Sequence, residues 1–216
     1  MDNRYNMCGV ILSAGASSRM GRDKALLPWP PAASGSTSPN ETLLSAANAA
    51  LQPFTQAVIV VAGKNAANIA PVIAAKGARL VENPDPDRGQ FSSLQVGLRA
   101  VLDAGFDAAM ITLVDCPPLS EASMDQLCAA YAEALTRGKW GVAPEKNGRH
   151  GHPMLVNRNM IDAFLAAPVS SNARQVKWAH PDAFEYVPVS DSLLTIDVNT
   201  PEEYAALATR SASQSH

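Results

Sequence analysis

The stretch Met7-Cys-Gly-Val-Ile-Leu12, continued by Ser13-Ala-Gly-Ala-Ser-Ser-Arg-Met-Gly-Arg-Asp-Lys24, joins an apolar run to a glycine-rich, basic loop. The run reads as a buried strand, and such a loop at a strand's carboxyl end reads as an anion cradle. Gly15 and Gly21 allow positive φ and close backbone approach, so N–H groups can converge on a polyphosphate, while Arg19, Arg22 and Lys24 add charge. Two commoner loops are excluded by spacing. A Walker A loop needs Gly-x-x-x-x-Gly-Lys-Ser/Thr, whereas the second glycine here falls one place late and its lysine waits until Lys24. Position 17 carries no glycine, which removes the dinucleotide pattern Gly-x-Gly-x-x-Gly. Read alone, the loop could equally be a flexible surface connection.

Working outward, apolar β-branched runs at Gly9–Leu12, Ala57–Ala62, Ala78–Val81 and Ala109–Val114 predict buried strands, separated by amphipathic segments near 41–51, 64–76, 91–104 and 120–137. Alternating β and α elements imply a mostly parallel sheet covered on both faces, a three-layer α/β/α class. Weaker runs at Trp140–Ala143, Pro153–Asn157 and Phe184–Val189, with helices near 158–166 and 201–209, predict a mixed sheet with one reversed strand. One domain over 1–210 is expected, with a frayed, disordered tail at 211–216. The Pro/Ser/Ala/Gly stretch from Pro28 to Pro39 predicts a mobile loop beside the mouth.

A formal net charge of -3 over 216 residues argues against nucleic acid as main partner, which usually leaves a basic footprint. Three cysteines, Cys8, Cys116 and Cys128, show no zinc-like spacing, and the first residues lack the apolar core of a signal peptide. Cytoplasmic residence is expected, with no membrane partner, since every apolar run is strand-sized.

Ile111-Thr-Leu-Val-Asp115-Cys-Pro-Pro-Leu119 predicts a strand ending in a carboxylate at the sheet's mouth, suited to a hard divalent cation that bridges phosphates. A turn or N-cap role before the helix at Glu121 is the alternative. In Thr195-Ile-Asp197-Val-Asn199, a strand-like segment would point Asp197 and Asn199 to one face, where they could complete a metal site. Thr200, Pro201 and Glu203 form a helix start with a capping box. Ser92 and Ser93 stand where a helix N-terminus could meet a base, ribose or phosphate. Arg88 and the Gly63-Lys64 turn are weaker polar candidates. His150 and His152 lack partners with zinc spacing, so an acceptor pocket is the better reading; Asn172 and Arg174 add an anion contact from a following short helix, with a plain surface helix as the equal alternative.

In combination these strings resemble the nucleotidyltransferases of the molybdenum cofactor cytidylyltransferase type. The broader group includes the guanylyltransferase and the methylerythritol phosphate cytidylyltransferase. The resemblance runs from about Val10 to Leu207, carried by Ala14-Gly15, Arg19-Met20-Gly21 and Lys24, then Ser92-Ser93-Leu94 with Gly97, Asp115, Gly151-His152-Pro153, and Asp197-Val-Asn-Thr-Pro201. It implies a Rossmann-like nucleotidyltransferase fold, Mg²⁺ dependence, and attack of a substrate phosphate on the α-phosphate of an NTP, with CTP expected. By position Arg19 and Lys24 would hold the triphosphate, and Ser13, Ala14, Gly15, Gly21, Ser92 and Ser93 the nucleotide. Asp115 with Asp197 or Asn199 would hold the metal, and His152 and Arg174 would line the site of a phosphorylated acceptor such as molybdopterin. Transient contact with a molybdoenzyme is also implied. Guanylyl or sugar-phosphate transfer, and a non-catalytic cofactor-binding maturation factor, are the alternatives. Ser170-Ser-Asn-Ala-Arg174 departs from the family's Gly-Asp-x-Gly-Ala-Arg segment, and the 30–40 stretch is longer than its usual turn.

Overall fold

A computed structural model describes residues 6–15, 19–31 and 41–213, with side chains through residue 207. Residues 16–18 of the glycine-rich loop, 32–40 of the Pro/Ser stretch and the tail from 214 lie outside the described residues.

The strands β1 (Cys8–Ser13), β2 (Ala57–Ala62), β3 (Arg79–Glu82) and β4 (Ala108–Leu113) are mutually parallel in the order β3-β2-β1-β4. On the far side of β4 lies β7 (Met154–Asn157), antiparallel to it, then β5 (Gly141–Lys146), which also pairs with the two-residue β6 (Arg149–His150) and, in parallel, with β8 (Phe184–Pro188). The expected reversed strand is therefore β7. The short β6 had no separate signal, because two residues carry no period.

Side-chain alternation along the strands builds two cores. Ile11, Val58, Val60 and Met110 face α1 (Leu43–Leu51), α2 (Ala66–Ala75) and α4 (Glu121–Thr136). Val10, Leu12, Ile59, Val61 and Ile111 face α3 (Gln90–Asp103), α5 (Arg158–Ala166) and α6 (Ala173–Ala179). The result is the expected three-layer mixed sheet, the Rossmann-like nucleotidyltransferase fold. A third, smaller cluster of Met20, Leu27, Leu43, Val198 and Leu207 seats the segment before and within α7 (Pro201–Ser213) against the first loop. Helix α7 continues three residues beyond the expected boundary at 210. At the base of the 32–40 stretch, Pro28 bridges to Thr42 and Trp29 N donates to Glu41 O at 2.9 Å.

Candidate active site

The carboxyl ends of β1, β2 and β4 open into a cavity of about 760 Å³ at the point where the strand order reverses. Its lining includes Ser13, Ala14, Gly15, Arg19, Gly21 and Lys24 from the first loop. Gly21 adopts φ +71°, as the loop reading expected; Gly15 does not need a positive φ, and a Cβ there would meet nothing within 4 Å. Ser13 is buried, and its Oγ has no hydrogen-bond partner among the described residues.

The loop is held by polar ties. Asp23 caps a short turn by accepting from Ala25 N at 3.0 Å through Oδ1, and its Oδ2 accepts from Asn65 Nδ2 at 2.9 Å. The same Asn65 amide donates to Ser13 O at 3.0 Å, while its Oδ1 accepts from Gly63 N at 3.1 Å. A Cβ on Gly63 would stand 2.7 Å from Ala14 O, so only glycine lets the two loops touch there. These ties present Lys24 to the cavity floor.

Lys24 Nζ lies 3.0 Å from Asp115 Oδ2 and 2.9 Å from Asn199 Oδ1, and an Arg19 guanidinium nitrogen reaches the same Asn199 oxygen at 3.4 Å. Asp115 is not a helix cap: that role falls to Ser120, whose hydroxyl accepts from Ser123 N. Val198 N donates to Asp115 O at 2.8 Å, which brings Asn199 over the end of β4.

Asp197 departs from the expected arrangement. Residues 197–199 are not in a strand, so alternation does not apply, and the exposed Asp197 carboxylate accepts from the Cys116 thiol at 3.4 Å. Burial, and then the Asp115 and Asp197 carboxylates, hold the Cys116 pKa well above its ordinary value, so it stays a thiol. The expected capping box at Thr200 and Glu203 is present, with Glu203 Oε2 also accepting from Asn199 N at 2.8 Å. Asn199 is thereby fixed from behind.

At the α3 N-terminus Ser93 lines the cavity and Ser92 does not. The Ser92 hydroxyl donates to Gly89 O at 2.7 Å, and Asn83 Nδ2 donates to both serine hydroxyls at 2.9 Å. Ser92 is thus a brace for the turn, a role its sequence neighbours do not reveal. Lys64 pairs with Asp87 at 2.7 Å across the rim, and Arg88 lies outside the lining.

His152 and Arg174 also lie outside the lining. His152 is half-buried with Nδ1 3.3 Å from Ile111 O, and burial lowers its pKa below the ordinary histidine range. Arg174 is exposed over Trp178, and Asn172 closes a capping box with Gln175. Beside them stands Lys177, 4.7 Å from the Phe184 ring centre and 5.4 Å from that of Tyr186, on which His150 stacks at 3.5 Å.

The first loop, the cationic floor and the α3 turn line one cavity, and the MobA-like NTP transferase domain matches residues 9–183. The chain belongs to the MobA-like NTP transferase family. It is 27% identical over 210 residues to a probable molybdenum cofactor guanylyltransferase of Mycobacterium avium, spanning 96% of this chain and 98% of that one. It is 25% identical over 196 residues to the molybdenum cofactor cytidylyltransferase of Escherichia coli, spanning 90% and 92%. A third relative, 29% identical over 205 residues and spanning 90% and 93%, is the nicotine blue oxidoreductase of Paenarthrobacter nicotinovorans. Within that family the chain is similar to molybdenum cofactor guanylyl- and cytidylyltransferases and to an oxidoreductase alike. No helix among its described residues is long and apolar enough to cross a membrane.

Proposed function

We propose that this protein transfers a nucleoside monophosphate, CMP from CTP, to the phosphate of a pterin acceptor such as molybdopterin with Mg²⁺ as cofactor. The observation that carries this is the convergence of Lys24, Arg19, Asp115 and Asn199 on one floor of the cavity that Gly15 and Gly21 also line. An acceptor phosphate oxygen attacks the α-phosphorus, the bond to the β-phosphate oxygen breaks, and pyrophosphate leaves. Positioning and charge neutralisation supply the rate, and no protein nucleophile is needed.

The donor set suits a hard cation: a carboxylate oxygen and an amide oxygen already converge on one point, and phosphates and water would supply the remaining ligands. Mg²⁺ would neutralise the charge developing on the phosphates. Asp115 and Asn199 are the ligands we assign, because their oxygens already share one point at Lys24 Nζ. Asp197, behind Cys116, contributes negative field to the same corner. We assign His152 and Arg174, both outside the cavity lining, to the acceptor, whose product would pass to a molybdoenzyme.

The preference for CTP rests on the motif resemblance; a guanylyl reading is favoured in turn by the Mycobacterium avium relative. Pyrophosphate release with each NTP, Mg²⁺ and molybdopterin tests both. Turnover with CTP, lost in Asp115→Asn at unchanged melting temperature and reduced but not abolished in Asp197→Asn, is the expected result. Equal turnover by Asp115→Asn overturns the assignment of the floor, and turnover with GTP alone overturns the choice of base.

A further inference from the structure

We propose that Lys24 is the resident cation of the seat formed by Asp115 Oδ2 and Asn199 Oδ1. A divalent ion takes that seat only when a triphosphate draws the ammonium away. The inference rests on the assignment of Asp115 and Asn199 as metal ligands and adds the order in which the ligands bind.

The geometry is that of substitution rather than of proximity. Nζ sits 3.0 and 2.9 Å from the two oxygens that would hold the metal, contacts that are short and charge-assisted. The side chains of Lys24 and Asp115 are only 12% and 25% exposed, so water screens the pair weakly. An ammonium and a divalent ion cannot share that space, because their repulsion at such distances outweighs what one carboxylate returns. Metal without nucleotide must therefore displace Lys24 from both oxygens into a cavity that also holds Arg19, without the compensation that a bound triphosphate supplies.

A triphosphate changes that balance. It supplies several anionic oxygens within the same cavity that Gly15, Gly21 and Lys24 line. The main chain at Lys24 is pinned through Asp23 and Asn65, whereas the four-carbon stem can swing from the seat to the phosphates without loop movement. The ammonium then neutralises phosphate, and the carboxylate it leaves receives the metal. The device keeps Asp115 paired in the nucleotide-free protein and couples metal affinity to nucleotide.

Mn²⁺ binding, read by electron paramagnetic resonance of the free ion, tests this on the full chain. Without nucleotide, Lys24→Met is expected to bind Mn²⁺ at least about tenfold tighter than wild type, since a positive charge leaves the seat itself. The gain should vanish in Lys24→Met combined with Asp115→Asn. Lys64→Met, which removes an equal charge from the cavity lining at a residue paired with Asp87 rather than with the seat, should change affinity less than about threefold. With a non-hydrolysable CTP or GTP analogue, wild type should hold Mn²⁺ in an Asp115-dependent way. Lys24→Gln repeats the measurement if the methionine variant does not fold. An affinity in Lys24→Met equal to wild type overturns the proposal, as does a gain that persists without Asp115 or is matched by Lys64→Met. Mn²⁺ binding independent of Asp115 in every variant, with and without analogue, would instead remove the metal assignment itself.

Discussion

Asn65 reaches across 42 positions of chain to Asp23, its Nδ2 donating to Oδ2 at 2.9 Å, and the same amide holds Ser13 O. One side chain thus fixes the exit of β1 and the turn that presents Lys24. Replacing Asn65 by Ala leaves Asp23 Oδ2 and Ser13 O to water, and should cost about 1–3 kcal/mol of stability. It should also raise the KM for NTP several-fold. Chemical denaturation together with nucleotide titration checks both; unchanged KM would make Asn65 a structural tie only.

Gly63→Ala places a methyl 2.7 Å from Ala14 O, a backbone atom of the cradle. Relief of that clash requires main-chain movement, with an expected loss of about 1–3 kcal/mol. Weaker NTP binding should accompany the drop in melting temperature, because the displaced strand exit is part of the cavity wall. A variant as stable and as tight as wild type would show that the two loops are slack.

The two adjacent serines should separate in their effects. Ser92→Ala removes the hydroxyl that donates to Gly89 O and accepts from Asn83, so it should lose about 1 kcal/mol of stability with nucleotide affinity retained. Ser93→Ala should do the reverse, weakening nucleotide binding with a smaller change in melting temperature, since Ser93 faces the cavity. Identical profiles for both variants would contradict the division of roles.

Burial, and then the Arg174 charge, lower the Lys177 pKa from 10.5 to about 8. Between those values the unfolded chain binds the proton that the folded chain has released, so stability contributed through this group rises with pH across about 8 to 10.5. Lys177→Met should therefore be more stable than wild type at pH 7, by up to about 3 kcal/mol, and the difference should shrink towards pH 10. Urea unfolding of both proteins at the two pH values measures it. A pH-independent difference would assign the effect to packing against Phe184 and Tyr186.

Much of the architecture was legible because it follows local periodicity. The runs at Gly9–Leu12, Ala57–Ala62 and Ala109–Val114 are strands within a residue or so, and their alternation sorts the two cores. Lys24, Asp115 and Asn199 were also singled out, since charged or amide groups at strand ends have few local partners. What the sequence concealed were contacts between distant polar groups. Asn65 has the residue type and position of a helix cap, yet its side chain makes no cap bond and serves the first loop instead. Asn83, the brace of Ser92 and Ser93, had no signal beyond its place after β3. Asp197 was expected on the metal from strand alternation and from the family resemblance, yet it lies outside the cavity lining and its carboxylate accepts from the Cys116 thiol.

That hydrogen bond also carries a consequence for biosynthesis. The cradle, the central strands and Asp115 all precede residue 120, but Asn199 and the fully buried Val198 belong to the final segment threaded back over β4. A nascent chain emerging from the ribosome can assemble most of its sheet while its catalytic floor is still missing a wall. A chain cut near residue 190 keeps all eight of the described strands but loses Val198 and Asn199, and with them the seat beside Asp115.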